Sequence, residues 1–308
     1  MKTQVSRRRL SGFETFSRQL IKWLLDHRGE RATIQRGWLF DLLARVTPLI
    51  SVTGEDGLYV VDARDSVLGR ATFANHGFEV AFMDQALKIL DAQSGLGIRG
   101  RLMVDVGANV GVTAVPAMKR FGAAGVIAIE PDPENVRLLK ANLALNSLGD
   151  AVQVHACAVS AESGQLVLER SPNNSGDHRI RMTTEEGRFG EEHWETTPVP
   201  VSTLDQIVAD VDVALIWLDV QGHEGHVLAG ARELLARGVP VVSEFWPYAL
   251  TRAGGLMMFR QAVEHHGLQL VLLRDGPRGM AAGMTMRFDD LVAHLGERGT
   301  TDLLIIPR

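Results

Sequence analysis

Residues 101–131 read RLMVDVGANVGVTAVPAMKRFGAAGVIAIEP, and their pattern decides the fold. Leu102, Met103, Val104 and Val106 form a short apolar run with no helical period and one acid, Asp105, as expected of a strand buried on both faces. The run breaks into Gly107-Ala108-Asn109-Val110-Gly111, which places two glycines where a chain leaving a strand turns tightly and lets a ligand approach its backbone. Pro116 falls in the first turn of the helix that should follow, where a missing N–H is tolerated. A second strand, Gly125 to Ile129, then ends in Glu130.

An acid at the end of the second strand of such a unit is placed to accept hydrogen bonds from the two ribose hydroxyls of a nucleoside. Glu130 stands 19 residues beyond Gly111, the expected reach. The loop reads D-x-G-x-N-x-G and lacks the G-x-G-x-x-G that sets a helix N-terminus against a pyrophosphate. A nucleoside without phosphates, such as S-adenosylmethionine, therefore fits better than a dinucleotide. Taken alone, the glycine loop also reads as an ordinary strand-to-helix turn; the strand before it and Glu130 after it favour the ligand site.

Outward from this stretch, strands and helices alternate from Arg101 onward, the pattern of a doubly wound parallel sheet. Asp132-Pro133-Glu134 supplies an N-cap, a proline at the first helical position and an acid in the first turn, opening a helix that fades by Asn146. Val152 to Val159 reads as the third strand, with Gln165 to Glu169 extending or pairing beside it. Ser202 is expected to cap a short helix over 203–208, and Val213 to Leu218 to form a central strand ending in Asp219. A helix follows over 224–237, then a strand over 239–245 broken at Pro247, a helix over 256–266, and two last strands over 268–274 and 302–306. Residues 171–195 are polar, glycine-containing and without steady period, a long loop of the kind that covers something in a compact α/β domain and so is expected to act as a lid.

Residues 1–98 read as an α+β N-terminal extension, separated by Gly95, Gly97 and Gly100 from the domain at 99–308. Its amphipathic helix is expected over 10–27 and a second helix over 38–46. A hairpin should join Leu49–Val52 to Leu58–Asp62, with a helix over 78–91 after it.

Composition narrows the function. A chain of 308 residues with 45% apolar content can bury a large core, and a net charge of −5 does not favour nucleic acid as a partner. Lys2, Arg7, Arg8 and Arg9 are read as a solvated chain end. The segment after them carries Glu14, Arg18 and Lys22, so neither a signal peptide nor a membrane span is expected, and a cytoplasmic location is. Cys157, the one cysteine, is expected to be buried and structural.

Ligands of open α/β sheets bind beyond the carboxyl ends of the strands. That places Asp105 to Gly111, Glu130, the region of Ala156 to Ser160, Asp219 to Glu224, and Glu244 to Trp246 on one edge. Within Asp219-Val220-Gln221-Gly222-His223-Glu224, two acids and a histidine surround a glycine turn; a polar strand exit with Glu224 at a helix N-terminus is the plainer reading.

The succession VDVGANVG, IEPDPENVRLLKANLALN, VSTLDQI, IWLDVQGHEGHVLAGARELL and VVSEFWP resembles the FkbM family of S-adenosylmethionine-dependent methyltransferases over 101–250. The resemblance implies a seven-stranded, Rossmann-like class I methyltransferase sheet and O-methylation of a hydroxyl on a small molecule or sugar. Carried over, it assigns Asp105, Gly107, Asn109 and Gly111 to the glycine-rich cofactor motif and Glu130 to the ribose, and matches Asp219, Gly222 and Glu224 to its D-x-x-G-x-E element and Glu244 to its later acid. Their neighbours Ala108, Pro131 and Ala158 join the cofactor candidates, and Asp219, His223 and Glu224 are the candidates for catalysis. Asn142 and Asn146 match positions where the family favours asparagine, although a helix surface and a C-cap explain them equally well. The third-strand region His155-Ala156-Cys157-Ala158-Val159 lacks the acid that many methyltransferases place near adenine.

For an alcohol acceptor the proton could go to Asp219 or His223. A hard divalent cation on Asp219 and Glu244, with Glu224, is the alternative that oxygen ligands permit without demanding. His178 and Arg179 in the long loop, with Asn173 and Asn174, could contact substrate or simply be solvated. A nicotinamide-dependent oxidoreductase would want the missing pyrophosphate fingerprint. A non-catalytic methyltransferase-like binding module would have no need of intact Gly107, Gly111, Glu130 and Asp219. The place where nucleic-acid amino methyltransferases carry Pro-Pro-aromatic here reads DVQG.

Overall fold

The computed structural model describes residues 30–276 and 279–308. The helix expected over 10–27 and the basic cluster before it lie outside the described residues.

The described chain opens with α1 (Glu30–Leu43), which starts well before the expected Trp38. It continues through a hairpin of β1 (Leu49–Thr53) and β2 (Leu58–Asp62), then α2 (Leu68–Asn75) and α3 (Val80–Ser94). Two asparagines bind this hairpin to the rest. On α5 (Pro133–Leu145) and just past its end, Asn142 and Asn146 each accept from and donate to β2 backbone, Asn142 at Val60 (2.6 and 3.1 Å) and Asn146 at Leu58 (2.9 and 2.7 Å). Side-chain amides here do for β2 what a neighbouring strand would do. Asn142 also donates to Val110 of the glycine loop at 2.8 Å, so the extension is tied to the candidate site.

The central sheet uses β3 (Leu102–Val106), β4 (Gly125–Ile129) after α4 (Ala114–Lys119), β5 (Val152–His155) after α5, β10 (Val213–Leu218), β11 (Val241–Phe245), β12 (Leu268–Leu272), β13 (Thr285–Met286) and β14 (Thr301–Pro307). Their order is β13-β12-β14-β11-β10-β3-β4-β5. The five strands from β11 to β5 are parallel, and β14 runs antiparallel between β11 and β12. The expected seven strands are present with an eighth, the two-residue edge strand β13. Strand β3 sends Met103 to one face and Val104 and Val106 to the other, the two-sided burial that its unbroken apolar run implied. The first face is covered by α1 to α5. The second carries α6 (Leu204–Val208), α7 (Glu224–Ala229), α8 (Arg232–Ala236), α9 (Pro247–Arg252), α10 (Leu256–His265) and α11 (Phe288–Leu295).

Several expectations need correction. The third strand does not run unbroken to Val159: it stops at His155, and β6 (Ala158–Val159) joins β7 (Gly164–Arg170), β8 (Arg179–Ile180) and β9 (Glu195–Ser202) in a second sheet of order β6-β9-β7-β8. Strand β9 escapes sequence reading because Pro198 and Pro200 argue against a strand interior. They are tolerated because β6 reaches only Val201 and Ser202, leaving the prolines on an open edge. The helix expected over 224–237 is two helices. Gly230 passes so close to Ser160 that a Cβ there would meet its carbonyl oxygen at 2.2 Å, and Asp205 then accepts from Glu233 and Leu234 N–H at 3.0 and 3.2 Å to start α8. Thr203, not Ser202, caps α6 by accepting from Gln206 N–H. After β11, Pro247 starts α9 rather than only ending a strand. No helix among the described residues is long and apolar enough to cross a membrane.

Candidate functional site

Two cavities open at the carboxyl edge of the parallel strands. The smaller, about 50 Å³, is lined by Gly107, Asn109, Glu130, Pro131 and Ala158, and also by Asp219 and His223. The larger, about 440 Å³, lies between this edge and the extension. Gly107, Asn109, Gly176, Asp219 and Gln221 belong to both walls.

Gly107 takes φ +89°, and a Cβ on it would lie 1.9 Å from the carbonyl oxygen of Asp219. The exits of β3 and β10 therefore touch through a glycine that has no substitute. Asn109 N–H donates to Glu130 at 2.9 Å and Asp132 N–H at 2.8 Å, fixing a carboxylate that is 4% exposed. Burial pushes Glu130 up to about 7 against those two hydrogen bonds. Each oxygen keeps a lone pair for a further donor.

Asp105 sits behind this wall, 1% exposed, and neither carboxylate oxygen has a hydrogen-bond partner. Burial, with Asp219 and Glu130 nearby, pushes it up to about 8. A buried acid left without a donor is costly, and an ammonium group would satisfy it. The orphaned Asp105, the Gly107 exit and the Glu130 carboxylate together fit an amino-acid nucleoside.

A stability measurement follows from Asp105. Its acid form is favoured in the folded chain, so the stability it contributes is fully present below 3.8 and is lost as pH rises through about 8. Asp105→Asn keeps the shape without the charge. Its stability relative to the wild type should rise between about pH 4 and pH 8 and level off above, by at most about 6 kcal/mol. Denaturant melts across that range check it; a stability difference that stays constant between pH 4 and pH 9 would refute it.

Of the remaining assigned residues, Ala108 is 1% exposed and buried in the core, while Gly111 packs on Leu139; neither lines either of these two cavities. Cys157 is half-buried on the wall of the smaller cavity, not in the core, and burial raises its thiol. His223 is 2% exposed; its Nε2 meets Ser160 Oγ at 2.9 Å and its ring stacks on His226 at 4.2 Å. Burial, then His226, pushes it down to about 3. Glu224 is 1% exposed and accepts from Val220 and Gly222 N–H at 3.0–3.1 Å, holding the Asp219–Glu224 turn closed. Asp219 faces the open cavities. The surrounding protein, then Glu224, Asp302 and Glu79, holds its carboxyl well above the usual range, against a hydrogen bond from Gln221.

Asp219, Glu224 and Glu244 bring carboxylate oxygens within 4.8 Å of one another. The Gln221 amide donates to Asp219 at 2.6 Å and to Glu244 at 3.0 Å.

The long loop is ordered around its own residues. Ser175 is clamped from three sides: Asp65 of the extension accepts from its N–H and hydroxyl, and its carbonyl accepts from Asn109 at 2.8 Å and Asn135 at 3.1 Å. Gly176, His178 and Ile180 are thereby held against the smaller cavity and line it. Arg179 is not solvated and reaches neither principal cavity. It is 5% exposed, paired with Glu191 and Asp177 at 2.7 Å, and lies over the rings of Phe189, Trp194 and Trp246. Asn174 lines the larger cavity, while the Asn173 carbonyl accepts from Ser66.

Sequence reading assigned no role to Gln221, Arg274 or Asp302. Gln221 carried one signal, its place in DVQGHE, where it takes φ +53°. Asp302 is the second residue of antiparallel β14, so it is at this edge through a strand's N-terminal end, opposite Glu244.

The family model described as the methyltransferase FkbM domain matches residues 105–273. Among curated proteins, the chain is similar to the methyltransferase sdnD of Sordaria araneosa, 33% identical over 78 residues, which are 25% of this chain and 30% of that protein. It is also similar to the 2-O-methyltransferase NoeI of Sinorhizobium fredii, 26% identical over 158 residues, 47% of this chain and 63% of that one. The chain thus spans less than two thirds of either relative. Among solved structures, the methyltransferase FkbM from Methylobacillus flagellatus KT aligns over 96% of this chain and 71% of that one, with a TM-score of 0.42 and 15% identity.

Proposed function

The chain belongs to the FkbM methyltransferase family, and from that premise we propose that it is an S-adenosylmethionine-dependent O-methyltransferase acting on a hydroxyl of a small molecule or sugar. The observation that carries this reading is the shared wall: a nucleoside-type cavity and a larger second cavity meet at Asp219. The hydroxyl acceptor is supported by the name of one relative, a 2-O-methyltransferase.

When bound, S-adenosylmethionine supplies an electrophilic methyl group on a sulfonium. Glu130 would hold its ribose hydroxyls and Asp105 its ammonium group, while Gly107 leaves room for close backbone approach. Asp219 orients the acceptor hydroxyl and takes its proton, since a carboxylate raised toward neutrality is a better base than an ordinary one. His223 is withheld from that role, because it lines the smaller cavity, not the larger, and its ring nitrogen is bound to Ser160. Glu224 acts through the turn it closes. Its oxygens accept from backbone N–H groups, and a divalent cation held mainly by Asp219 and Glu244, with Glu224 in reach, is the second reading that these three carboxylates support. Titration with S-adenosylmethionine and with NAD tests the assignment: the first should bind and the second should not.

A further inference from the structure

The larger cavity has an unbalanced wall. Among the described residues, Glu79, Asp219, Glu244 and Asp302 face it with a single guanidinium, Arg274. Arg274 is already committed, pairing with Glu79 at 2.8 Å and with Asp302. Glu244 and Asp302 stand directly opposite each other across the β11–β14 pair, a placement of like charges that weakens a sheet. Among the described residues Glu244 has no cationic partner; it accepts from the Gln221 amide at 3.0 Å and the Thr300 hydroxyl at 3.4 Å. A neutral amide, that of Gln221, bridges Asp219 and Glu244, where a charged donor would be held more strongly.

Resting on the methyl-transfer reading of this site, we propose that the cavity selects an acceptor bearing an ammonium group near its hydroxyls, an amino sugar or amino alcohol, with the ammonium held between Glu244 and Asp302 and the hydroxyl at Asp219. An ammonium brings three donors and a positive charge, enough to serve both carboxylates and remove their repulsion. An N-acylated acceptor lacks the charge, and a phosphorylated or carboxylated one meets a wall of its own sign.

The test uses the full chain saturated with S-adenosylhomocysteine, titrated calorimetrically with glucosamine, N-acetylglucosamine and glucose 6-phosphate, with and without a chelator. Glucosamine should bind at least about tenfold more tightly than N-acetylglucosamine, and glucose 6-phosphate should not bind. Glu244→Gln should erase most of that preference while S-adenosylhomocysteine affinity stays unchanged. Equal binding of the two amino sugars, tighter binding of the phosphate, no binding of glucosamine at millimolar concentration, or a preference that vanishes with chelator would each overturn the proposal. S-adenosylhomocysteine binding separates the failures: if it persists without a charge preference, only this proposal falls; if it is absent from the wild type, the methyl-transfer reading falls and takes this one with it.

Discussion

Asp219→Asn should lower kcat by roughly 10²- to 10⁴-fold, the usual contribution of a positioned general base, while S-adenosylhomocysteine affinity changes by no more than about threefold. The two readouts separate because Asp219 faces both cavities but Glu130 and Asp105 are the residues assigned to grip the nucleoside. Asparagine keeps a hydrogen-bond acceptor for Gln221 and loses the capacity to take a proton. The wild-type pH profile gives an independent reading. A base must be unprotonated to act, so kcat/KM should fall as pH drops, and the fall should be centred near neutrality. Asp219 is exposed to the open cavities, and the protein packed around it, then the carboxylates of Glu224, Asp302 and Glu79, hold it above the usual carboxylate range, at about 7. His223, pushed down to about 3, could not produce such a limb. A limb near pH 4, or an Asp219→Asn enzyme of undiminished kcat, would remove Asp219 from the chemistry.

Gly107→Ala should cost about 3 kcal/mol or more in stability and abolish cofactor binding. Two costs add. A φ of +89° is strained for any residue with a Cβ, and that Cβ would lie 1.9 Å from the Asp219 carbonyl oxygen and 2.9 Å from its carbonyl carbon. The obstacle is backbone, so no side chain can rotate away. Relief requires the ends of β3 and β10 to part, and these strands are paired from Leu102 to Val106. Parting them moves Asp219 away from the wall it shares with Gly107. Thermal or denaturant melting with cofactor titration measures both effects; a loss below about 0.5 kcal/mol would mean that the two exits are not in contact.

Much of this architecture was legible in the sequence because it depends on local signals. The run Leu102–Val106 read as a strand buried on both faces, Asp132-Pro133-Glu134 as the start of a helix, and Glu130 was readable from its distance to the glycine loop. Features made by chain segments meeting at a distance were not. The second sheet was hidden by Pro198 and Pro200, whose tolerance depends on how short β6 is. The break at Gly230 reflects the close passage of Ser160. The larger cavity draws on Glu79, Asp219, Glu244, Arg274 and Asp302, which share no spacing, and Asp302 enters through an antiparallel strand that a rule about carboxyl ends passes over. The ordered clamp on Ser175 is of the same kind, since Asp65, Asn109 and Asn135 converge on it from three segments.

The nucleoside site is the claim on which the others stand, and calorimetric titration of the wild-type and Glu130→Ala chains with S-adenosylmethionine and NAD tests it most directly. The wild type should bind S-adenosylmethionine and not NAD, and Glu130→Ala, melting checked to show that it is folded, should lose at least about tenfold in affinity, the cost of removing hydrogen bonds to a charged acceptor. Unchanged affinity in the variant, or binding of NAD in preference to S-adenosylmethionine, would contradict the assignment of this pocket.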